Sequence, residues 1–363
     1  MWMLLVAAAA SPGWDAFTRA FDEQMDKSRR VGGAAVLVLN GAIAAHHEHG
    51  YADRARNVKV DAETLFHYGS ITKLLTGISV FQLRDRGRLS LDDKIVGYLP
   101  ELRQVHGQVD AATLRMLLTH TAGFQSPTWP YKEGKPWEPF EPTAWSQLVA
   151  MMPYQQLDFA PGTSFQYSNP AFIYLARVVE QLTGDPWELY VQKNVFAPLG
   201  LWKSYFGATP YHLAAHRGHR YEVLHTDAGV GEADNGADFD PGITIPNGGW
   251  NAPLGDLAAF AAFVTGARPD RGVLERATLE EMMRPAFPTG EAGESVGMPF
   301  FVWKRARSTV IGHTGSQGGY FSFLFFNPAT KAAVIAAINT GDSTEQGYKV
   351  WVEMKEAGMK LVE

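Results

Sequence analysis

The sequence contains no cysteine, and this absence excludes several kinds of chemistry at once. With 0 cysteines in 363 residues, the chain has no disulfide, thiolate zinc site, cysteine nucleophile or cysteine-linked lipid anchor. An excess of positive charge is also missing, because the formal net charge is -6 and there is no run of Lys and Arg. Neither nucleic acid nor an anionic membrane surface is therefore a predicted partner. The 46% hydrophobic and 19% charged residues are typical of an ordinary globular protein.

Long hydrophobic runs are lacking as well. No segment has the roughly 18 consecutive apolar residues of a spanning helix, so no integral membrane segment is predicted. The opening MWMLLVAAAASPGWD has a short apolar run with an A-x-A-like end at Ala8 and Ala10, but no basic residue before it. Residues 1–12 are interpreted as either a secretory signal peptide or a disordered or helical N-terminus. A periplasmic or secreted location is favoured, and a cytoplasmic one stays open.

Strand patterns occur near both ends of the chain, and helical patterns lie between them. The segment GAAVLVLNGAIAAHHEHGYAD predicts two strands joined by a tight turn at Asn40 and Gly41. Helical periodicity dominates residues 64–290, and strand character returns in VIGHTG and GYFSFLFFNPATKAAVIAAINT. This order predicts an α/β (α+β) fold, in which one antiparallel sheet forms from both chain ends and a mostly helical region is inserted.

A proline-rich segment, FQSPTWPYKEGKPWEPFEP at 124–142, predicts a long, semi-rigid loop without regular structure. Such loops often form lids or binding walls, and a packed surface loop is an equal alternative. In the first case, the side chains of Trp129, Tyr131 and Trp137 are candidates for the wall of a substrate cleft.

The stretch HYGSITKLLTG places Ser70 and Lys73 three residues apart at the start of a predicted helix. On a helix, this spacing puts both side chains on one face. The apolar run after Lys73 predicts a buried helix, and burial lowers the pKa of an amine. A neutral amine can take the proton of a serine hydroxyl and make that oxygen a nucleophile. S-x-x-K is a weak signal by itself, and it occurs once in this chain.

The second candidate element is Tyr167-Ser168-Asn169, which precedes a predicted helix in FQYSNPAFIYLARVV. A phenol next to a lysine ammonium is drawn toward its anionic form, which makes Tyr167 a candidate base or proton shuttle. Asn169 offers both a donor and an acceptor to an amide-like substrate. Taken alone, Tyr167 is more simply interpreted as an aromatic residue packed at a helix start.

The third element, VIGHTGSQGGYFSF, places His313, Thr314 and Gly315 at the end of a predicted strand. Glycine at this point lets a substrate approach the backbone closely. The backbone N–H of Ser316 can then join that of Ser70 as an oxyanion hole. Alone, the segment is more simply interpreted as a glycine-rich hairpin or bulge.

The order S-x-x-K, Y-x-N and H-T-G resembles the three-element pattern of penicillin-recognising serine enzymes. With Y-S-N in the middle, the chain looks like class C β-lactamases, D-alanyl-D-alanine peptidases and related esterases of the family VIII type. Other segments are also similar to this serine β-lactamase-related, penicillin-binding protein family, among them GRLSLDDKIVGYLPEL, ATLRMLLTHTAGF and NGGWNAPLGDLAAF. The resemblance covers about residues 33–340.

The resemblance implies one β-lactamase/transpeptidase-like catalytic domain at 13–363. Its sheet subdomain would comprise 13–63 and 295–363, and its mostly helical subdomain 64–294. The implied activity is that of a serine hydrolase without a cofactor. Its substrate would be a small ester, an amide or a D-amino-acid peptide.

The resemblance also implies a role for each motif residue. Ser70 would be the acylated nucleophile, Lys73 its base, and Tyr167 the proton relay to the leaving group and to the deacylating water. The remaining motif residues would bind substrate beside the oxyanion hole that Ser70 shares: Asn169, His313, Thr314, Gly315 and Ser316.

Position 313 departs from the antibiotic-hydrolysing members, which usually carry lysine there. A fixed cation attracts the carboxylate of a β-lactam or of a peptide C-terminus, whereas histidine is mostly neutral at pH 7. His313 therefore favours a carboxylesterase or a D-aminoacyl peptidase type of hydrolase. A class C-like β-lactamase or D-alanyl-D-alanine carboxypeptidase is the nearest alternative, and a catalytically inactive binding homologue is a further one.

Two histidine patterns are left out of the predicted site. His120 and Thr121 form a second H-T pair, which in the family is a structural turn after a helix. His212 and His216 have the i, i+4 spacing of a metal pair, but no H-E-x-x-H is present, so no metal is predicted. G-x-x-x-x-G-K-[ST] is absent too, which excludes that type of nucleotide site. The oligomeric state is left open.

Overall fold

In a computed structural model of the protein, the structure describes residues 12–124, 142–227 and 229–363. Their helices are α1 (Pro12–Lys27), α2 (Lys73–Asp85), α3 (Ile95–Tyr98), α4 (Leu114–Leu118), α5 (Trp145–Met151), α6 (Pro170–Thr183), α7 (Trp187–Val191), α8 (Ala197–Leu199), α9 (Ile245–Gly248), α10 (Leu254–Val264), α11 (Arg276–Met282) and α12 (Glu345–Val362). Their strands are β1 (Gly32–Leu39), β2 (Ala42–Asp53), β3 (Val58–Lys59), β4 (Phe66–His67), β5 (Tyr221–Thr226), β6 (Gly229–Asp234), β7 (Asn251–Ala252), β8 (Phe287–Pro288), β9 (Glu294–Val296), β10 (Phe301–Lys304), β11 (Thr309–Gln317), β12 (Tyr320–Asn327), β13 (Ala332–Ile338) and β14 (Thr340–Gly341).

One large sheet joins the two ends of the chain. Its nine strands follow the order β3-β2-β1-β13-β12-β11-β10-β9-β8, and neighbouring strands run antiparallel. The N-terminal β1 lies beside the C-terminal β13, with Val36 opposite Ile335. The prediction of an antiparallel sheet built from both termini, with helices inserted between them, is confirmed.

The predicted hairpin at the start of the sheet is also confirmed. Leu39 of β1 pairs with Ala42 of β2 across a two-residue turn. Asn40 and Gly41 have φ values of 50° and 78°. Two consecutive positive φ angles match the right-handed twist of the strands, and the Asn-Gly sequence is well suited to them.

Helices cover both faces of the sheet. On one face, α12 packs against β12, with the rings of Trp351 and Phe323 5.7 Å apart. On the same face, α1 packs against α12 and β2, with the rings of Phe21 and His47 6.0 Å apart. On the other face lies the larger core, which includes α2, α6 and α10. Every residue of α2 from Lys73 to Leu83 is buried, so the expectation of a helix enclosed on most sides is confirmed.

The helical middle of the chain holds more strand than its periodicity indicates. β5 and β6 form an antiparallel hairpin, and β5 also pairs in parallel with β14. The partner β14 is distant in sequence, so the local pattern of residues 221–234 does not reveal this pairing. Helices are otherwise found where expected, for instance α5, α6 and α10.

Some predictions lie outside the described residues or remain untested. Residues 1–11 are not described, so the signal peptide and the location stay predictions. Within 12–124, 142–227 and 229–363, none of the helices combines the length and the apolar character needed to cross a bilayer. The division of the chain into sheet and helical subdomains also stays a prediction.

Candidate active site

Ser70 lies on a short 3₁₀ turn, Gly69–Thr72, that leads directly into α2. Thr72 Oγ1 donates a hydrogen bond to the Gly69 carbonyl oxygen at 2.6 Å, and Ser322 Oγ donates to the Tyr68 carbonyl oxygen at 2.9 Å. Gly69 has a φ of 49°, in the left-handed region that favours glycine. The helix prediction is confirmed, and these bonds hold Ser70 immediately ahead of α2.

The amine of Lys73 is fully buried and lies close to three oxygen atoms. Its Nζ is 3.0 Å from Ser70 Oγ, 2.8 Å from Asn169 Oδ1 and 2.9 Å from the carbonyl oxygen of Asn247. The last two oxygens can only accept, so Lys73 donates to both. A neutral amine has two N–H groups and one lone pair. With both N–H groups used in this way, the lone pair is left for the proton of Ser70.

The surroundings of Lys73 favour this neutral form. Burial is the cause that lowers the pKa of Lys73 well below its usual value of 10.5, and no carboxylate opposes it. The rings of Tyr167 and Phe172 instead lie 4.8 Å and 5.5 Å from Nζ. Aromatic faces attract a cation. An ammonium that forms when Lys73 takes a proton would therefore be stabilised by rings and not by an acid.

Tyr167 lies in the turn before α6. Its hydroxyl is hydrogen-bonded to the side chain of Ser70. Part of the ring faces a cavity, but the surrounding protein desolvates the phenol and raises the pKa of Tyr167 above its usual value of 10.0. The expectation that Lys73 draws this phenol toward its anionic form is wrong, because burial raises the pKa of Tyr167 and Lys73 is not among the groups that lower it. Tyr167 is a neutral phenol that can donate a proton.

The end of β11 faces the turn that carries Ser70. Within the described residues, β10 pairs with β11 only as far as Gly312, so the edge of residues 313–317 is open on that side. A Cβ on Gly69 would lie 2.8 Å from the Ser316 nitrogen, and one on Gly315 would lie 1.9 Å from the Tyr68 carbonyl oxygen. Glycine at both positions thus permits the close approach of strand and turn. This approach places the backbone N–H of Ser316 beside the turn that carries Ser70.

His313 is buried and neutral. Its side chain is 1% exposed, and its Nδ1 donates to the Thr314 carbonyl oxygen at 2.5 Å. Burial and, secondly, the Lys73 amine lower the pKa of His313 to about 3. Its Nε2 has no hydrogen-bond partner among the described residues. Because the proton is on Nδ1, the imidazole of His313 is uncharged, whereas lysine at this position would carry a positive charge.

Asn169 was expected to offer a substrate both a hydrogen-bond donor and an acceptor, and only the donor is available. Its Oδ1 accepts from Lys73 at 2.8 Å and from Asn247 Nδ2 at 3.4 Å. The acceptor is therefore used inside the site, and the NH₂ group is what Asn169 can offer to a substrate.

Two of the residues that contact this site without having been predicted bear on its hydrogen bonds and on the position of Tyr167. One is Asn247, whose carbonyl oxygen binds Lys73; a backbone contact leaves no signal in the side-chain pattern. The other is His120, which was excluded as a structural turn. Its ring stacks on Tyr167 with centroids 4.5 Å apart. Its position 47 residues before Tyr167 gives no sign of that contact.

The motif residues other than Lys73 line one cavity of about 730 Å³: Ser70, Tyr167, Asn169 and residues 313–316. Aromatic residues from the sheet and from α12 also line it: Phe301, Trp303, Phe325, Tyr348 and Trp351. The three aromatic residues predicted as a cleft wall, Trp129, Tyr131 and Trp137, lie outside the described residues.

A second serine stands in a hydrolase-like sequence and lacks the geometry for catalysis. Ser295 is the centre of GESVG at 293–297, which matches G-x-S-x-G. In α/β-hydrolases that serine occupies a sharp strand-to-helix turn. Here Ser295 lies inside β9, opposite Val302 and Pro288. Ser295 is therefore a useful control residue for Ser70.

The described part of the chain contains no cluster of three or more His, Asp or Glu side chains arranged to hold a metal ion. His212 and His216 lie on a 3₁₀ turn, Tyr211–His216, outside the cavity of Ser70. The groups assembled around Ser70 are an amine, a phenol, amides and a neutral imidazole. These groups can activate a hydroxyl, move protons and stabilise an oxyanion.

The chain matches the family model described as Beta-lactamase over residues 17–359. It therefore belongs to the Beta-lactamase family, and the resemblance inferred from the motifs is confirmed. One relative is a putative penicillin-binding protein, PbpX, of Bacillus subtilis, 31% identical over 47% of this chain and 40% of its own length. Another is the esterase EstB of Burkholderia gladioli, 32% identical over 50% of this chain and 48% of its own length. The matches thus span less than half of both relatives.

Solved structures agree with the family assignment at the level of the fold. A class C β-lactamase superposes with a TM-score of 0.79 over 98% of this chain and 97% of its own, at 18% identity. An identity this low shows the fold alone. The predicted β-lactamase/transpeptidase-like fold is confirmed.

Proposed function

We propose that the protein is a serine hydrolase of the S-x-x-K type that acts through an acyl-enzyme and needs no cofactor. The observation that carries this proposal is the 3.0 Å contact between Lys73 Nζ and Ser70 Oγ. It occurs in a buried site where both N–H groups of the neutral amine are used elsewhere. Membership of the Beta-lactamase family supports the same chemistry.

In the proposed acylation step, Ser70 Oγ attacks the carbonyl carbon of the substrate while its proton moves to Lys73 Nζ. The carbonyl oxygen becomes negative, and the N–H groups of Ser70 and Ser316 stabilise it. Tyr167 donates its phenol proton to the leaving group as the bond to the carbonyl carbon breaks. The proton held by Lys73 then restores the phenol. The leaving group departs as an alcohol or amine, and the acyl group stays on Ser70.

Deacylation would use the same groups in reverse. Water occupies the place of the leaving group and gives a proton to Tyr167, whose own proton passes to Lys73. The hydroxide oxygen attacks the acyl carbon, and the bond to Ser70 Oγ breaks. Ser70 takes its proton back from Lys73, and a carboxylic acid is released. The phenol is neutral before and after each cycle, in agreement with the raised pKa of Tyr167.

The proposed substrate is a small ester or amide, including D-aminoacyl amides. His313 carries no charge at neutral pH, so it provides no fixed cation for a substrate carboxylate. The NH₂ group of Asn169 can donate to an acyl carbonyl oxygen. The relative EstB bears the name of an esterase, which supports ester hydrolysis in this chain.

A class C-like β-lactamase or a D-alanyl-D-alanine carboxypeptidase remains the nearest alternative, because this fold is also that of a class C β-lactamase. Both would act on substrates with a carboxylate. A binding homologue without catalysis is the further alternative. It leaves unexplained why a buried amine is aimed at a serine, since an unused amine could be replaced by an apolar side chain at lower desolvation cost.

The proposal predicts a covalent acyl group on Ser70 during turnover of short p-nitrophenyl esters. Acid quenching followed by intact mass and peptide mapping should locate one acyl group on the peptide that contains Ser70. In a parallel rate comparison, nitrocefin should be at least ~10-fold slower than the best ester or D-aminoacyl p-nitroanilide, because a hydrogen bond to a charged group is worth about 1.5–3 kcal/mol and His313 provides none.

Two results would contradict this prediction. Absence of any adduct, together with absence of turnover across the panel, would favour the binding homologue. Faster turnover of nitrocefin than of every ester would favour a class C-like β-lactamase. Faster turnover of a D-alanyl-D-alanine peptide than of every ester would favour a D-alanyl-D-alanine carboxypeptidase.

A further inference from the structure

We infer that His120 is a positioning residue for the proposed reaction: it holds the phenol of Tyr167 against Ser70 and places an uncharged ring beside the reacting groups. The inference rests on the proposed function, and it assigns a role to a residue outside the three motifs. His120 is 1% exposed and has no opening to the substrate cavity. It would therefore act through Tyr167 and not on the substrate.

His120 binds the chain on both sides of Tyr167. Its carbonyl oxygen accepts the backbone N–H of Gln166 at 3.0 Å, and its Nδ1 accepts the backbone N–H of Ser168 at 3.0 Å. Its ring lies against the Tyr167 ring, with centroids 4.5 Å apart and an interplanar angle of 24°. Through these three contacts, His120 fixes the ring of Tyr167 and the backbone on both sides of that residue.

Other side chains hold the imidazole in this place. The rings of Phe165 and Phe172 lie 5.9 Å and 5.1 Å from it. Phe172 is also one of the two rings over Lys73 Nζ. The stack of His120 on Tyr167 therefore continues into the aromatic surface that faces the amine.

The structure retains this histidine despite two costs. His120 has a φ of 57°, which is unfavourable for most side chains. Its Nε2 is buried without a hydrogen-bond partner among the described residues. A residue that only filled space would avoid the second cost. Both are understandable if the position needs a flat ring and a hydrogen-bond acceptor together.

The hydrogen bond from Ser168 also sets the charge of His120. Because Nδ1 accepts, the single proton is on Nε2 and the ring is neutral. Burial, and next the Lys73 and His313 side chains, lower the pKa of His120 well below its usual value of 6.5. His120 therefore adds no positive charge near Lys73 at neutral pH, which favours proton uptake by the amine.

Two variants separate the ring from the acceptor. His120→Asn keeps an acceptor for Ser168 and tolerates the positive φ, but it removes the stacked ring. His120→Phe keeps a ring and removes the acceptor. We expect His120→Asn to lower kcat for the p-nitrophenyl ester by about 10- to 100-fold, because small displacements of catalytic groups cost up to about 100-fold. KM should change by less than ~3-fold, since His120 does not contact substrate. His120→Phe should fall between this variant and the wild type.

The decisive readout is a combination with Tyr167→Phe. All rates are divided by the fraction of protein molecules that a fluorophosphonate labels on Ser70. A lower rate then cannot result from a smaller amount of folded protein. If His120 acts through Tyr167, His120→Asn should cost less than ~3-fold in the Tyr167→Phe background. The control is His106→Asn, an exposed histidine whose side chain contacts Pro153, and it should keep wild-type kcat.

Two outcomes would overturn the inference. One is an unchanged kcat per titrated site in both His120 variants. Even with a lower unfolding temperature, that result would show that His120 stabilises the fold and has no effect on the reaction. The other is an equal loss of kcat with and without the Tyr167 hydroxyl. Failure of the proposed function is distinguishable from both, because the wild-type protein would then show no labelling of Ser70.

Discussion

Replacing Ser70 with alanine should abolish ester turnover and covalent labelling by a fluorophosphonate. The oxygen that forms the acyl bond is then missing, and the Lys73 lone pair has no hydroxyl proton to accept. Removing the nucleophile of a serine hydrolase costs on the order of 10⁶-fold in kcat. We therefore expect the rate of p-nitrophenyl ester hydrolysis to fall at least ~10⁴-fold, measured by release of p-nitrophenol.

The matched control is Ser295→Ala. Ser295 stands in GESVG and lies within β9, and it does not line the cavity of Ser70. It should keep wild-type turnover and labelling. Turnover that survives in Ser70→Ala, or that disappears in Ser295→Ala while the protein stays folded, would reject Ser70 as the nucleophile.

Replacing Lys73 with methionine should give the second largest loss of activity. Methionine has about the same length and is apolar, so it fills the buried space while it removes the base and the hydrogen bonds that the amine donates to Asn169 and Asn247. General base catalysis typically contributes about 10²–10⁴-fold, and we expect the acylation rate of Ser70 to fall by that factor. The rate of fluorophosphonate labelling under single-turnover conditions measures this step. Lys360→Met, an exposed site on α12, should label at the wild-type rate.

The pH dependence of acylation should report the same amine. Lys73 is active as a base only when neutral, so kcat/KM should fall as the pH drops through its lowered pKa. His120 and His313, the histidines near the reacting groups, should not produce a limb at the usual 6.5, because burial lowers their pKa values well below it. Lys73→Met should lose the limb. Persistence of the limb in that variant would assign it to another group.

Stability should change with pH in the same direction as activity. Since the pKa of Lys73 is lowered on folding, the unfolded chain binds the extra proton between the lowered pKa and 10.5. The contribution of Lys73 to the free energy of unfolding therefore increases with pH across that window. At pH 7, Lys73→Met removes the cost of burying the amine, but it also removes the hydrogen bonds that the amine donates to Asn169 and Asn247. These effects oppose each other, so its unfolding temperature should stay close to that of the wild type. A large decrease would mean that the loss of activity comes from unfolding.

The sequence was sufficient for the elements whose causes are local. The Asn40–Gly41 hairpin follows from its turn residues, and the burial of α2 follows from its apolar run. The order of the three motifs led to the family and the fold. The β5–β6 hairpin and its pairing with β14 were not predicted, because strand partners far apart in sequence leave little local pattern.

In the candidate site, too, the features set by local sequence were predicted, and those that depend on distant segments were not. The placement of Ser70 beside Lys73 is set by their spacing on one turn. The state of Tyr167 was inferred incorrectly, because it depends on how far the surrounding protein excludes water from both side chains. The contacts of His120 with Tyr167 and of Asn247 with Lys73 arise only when separate segments meet in the folded chain.

The central claim is that the amine of Lys73 is neutral at rest, and NMR can measure this directly. In protein labelled with ¹³C and ¹⁵N in lysine, the chemical shifts of the Lys73 side chain are followed against pH and assigned by their absence in Lys73→Met. We predict a titration midpoint well below 10.5, in accord with burial without a carboxylate partner. A midpoint at or above the ordinary lysine value would show that Lys73 is a resting ammonium, and the proposed activation of Ser70 would then be wrong.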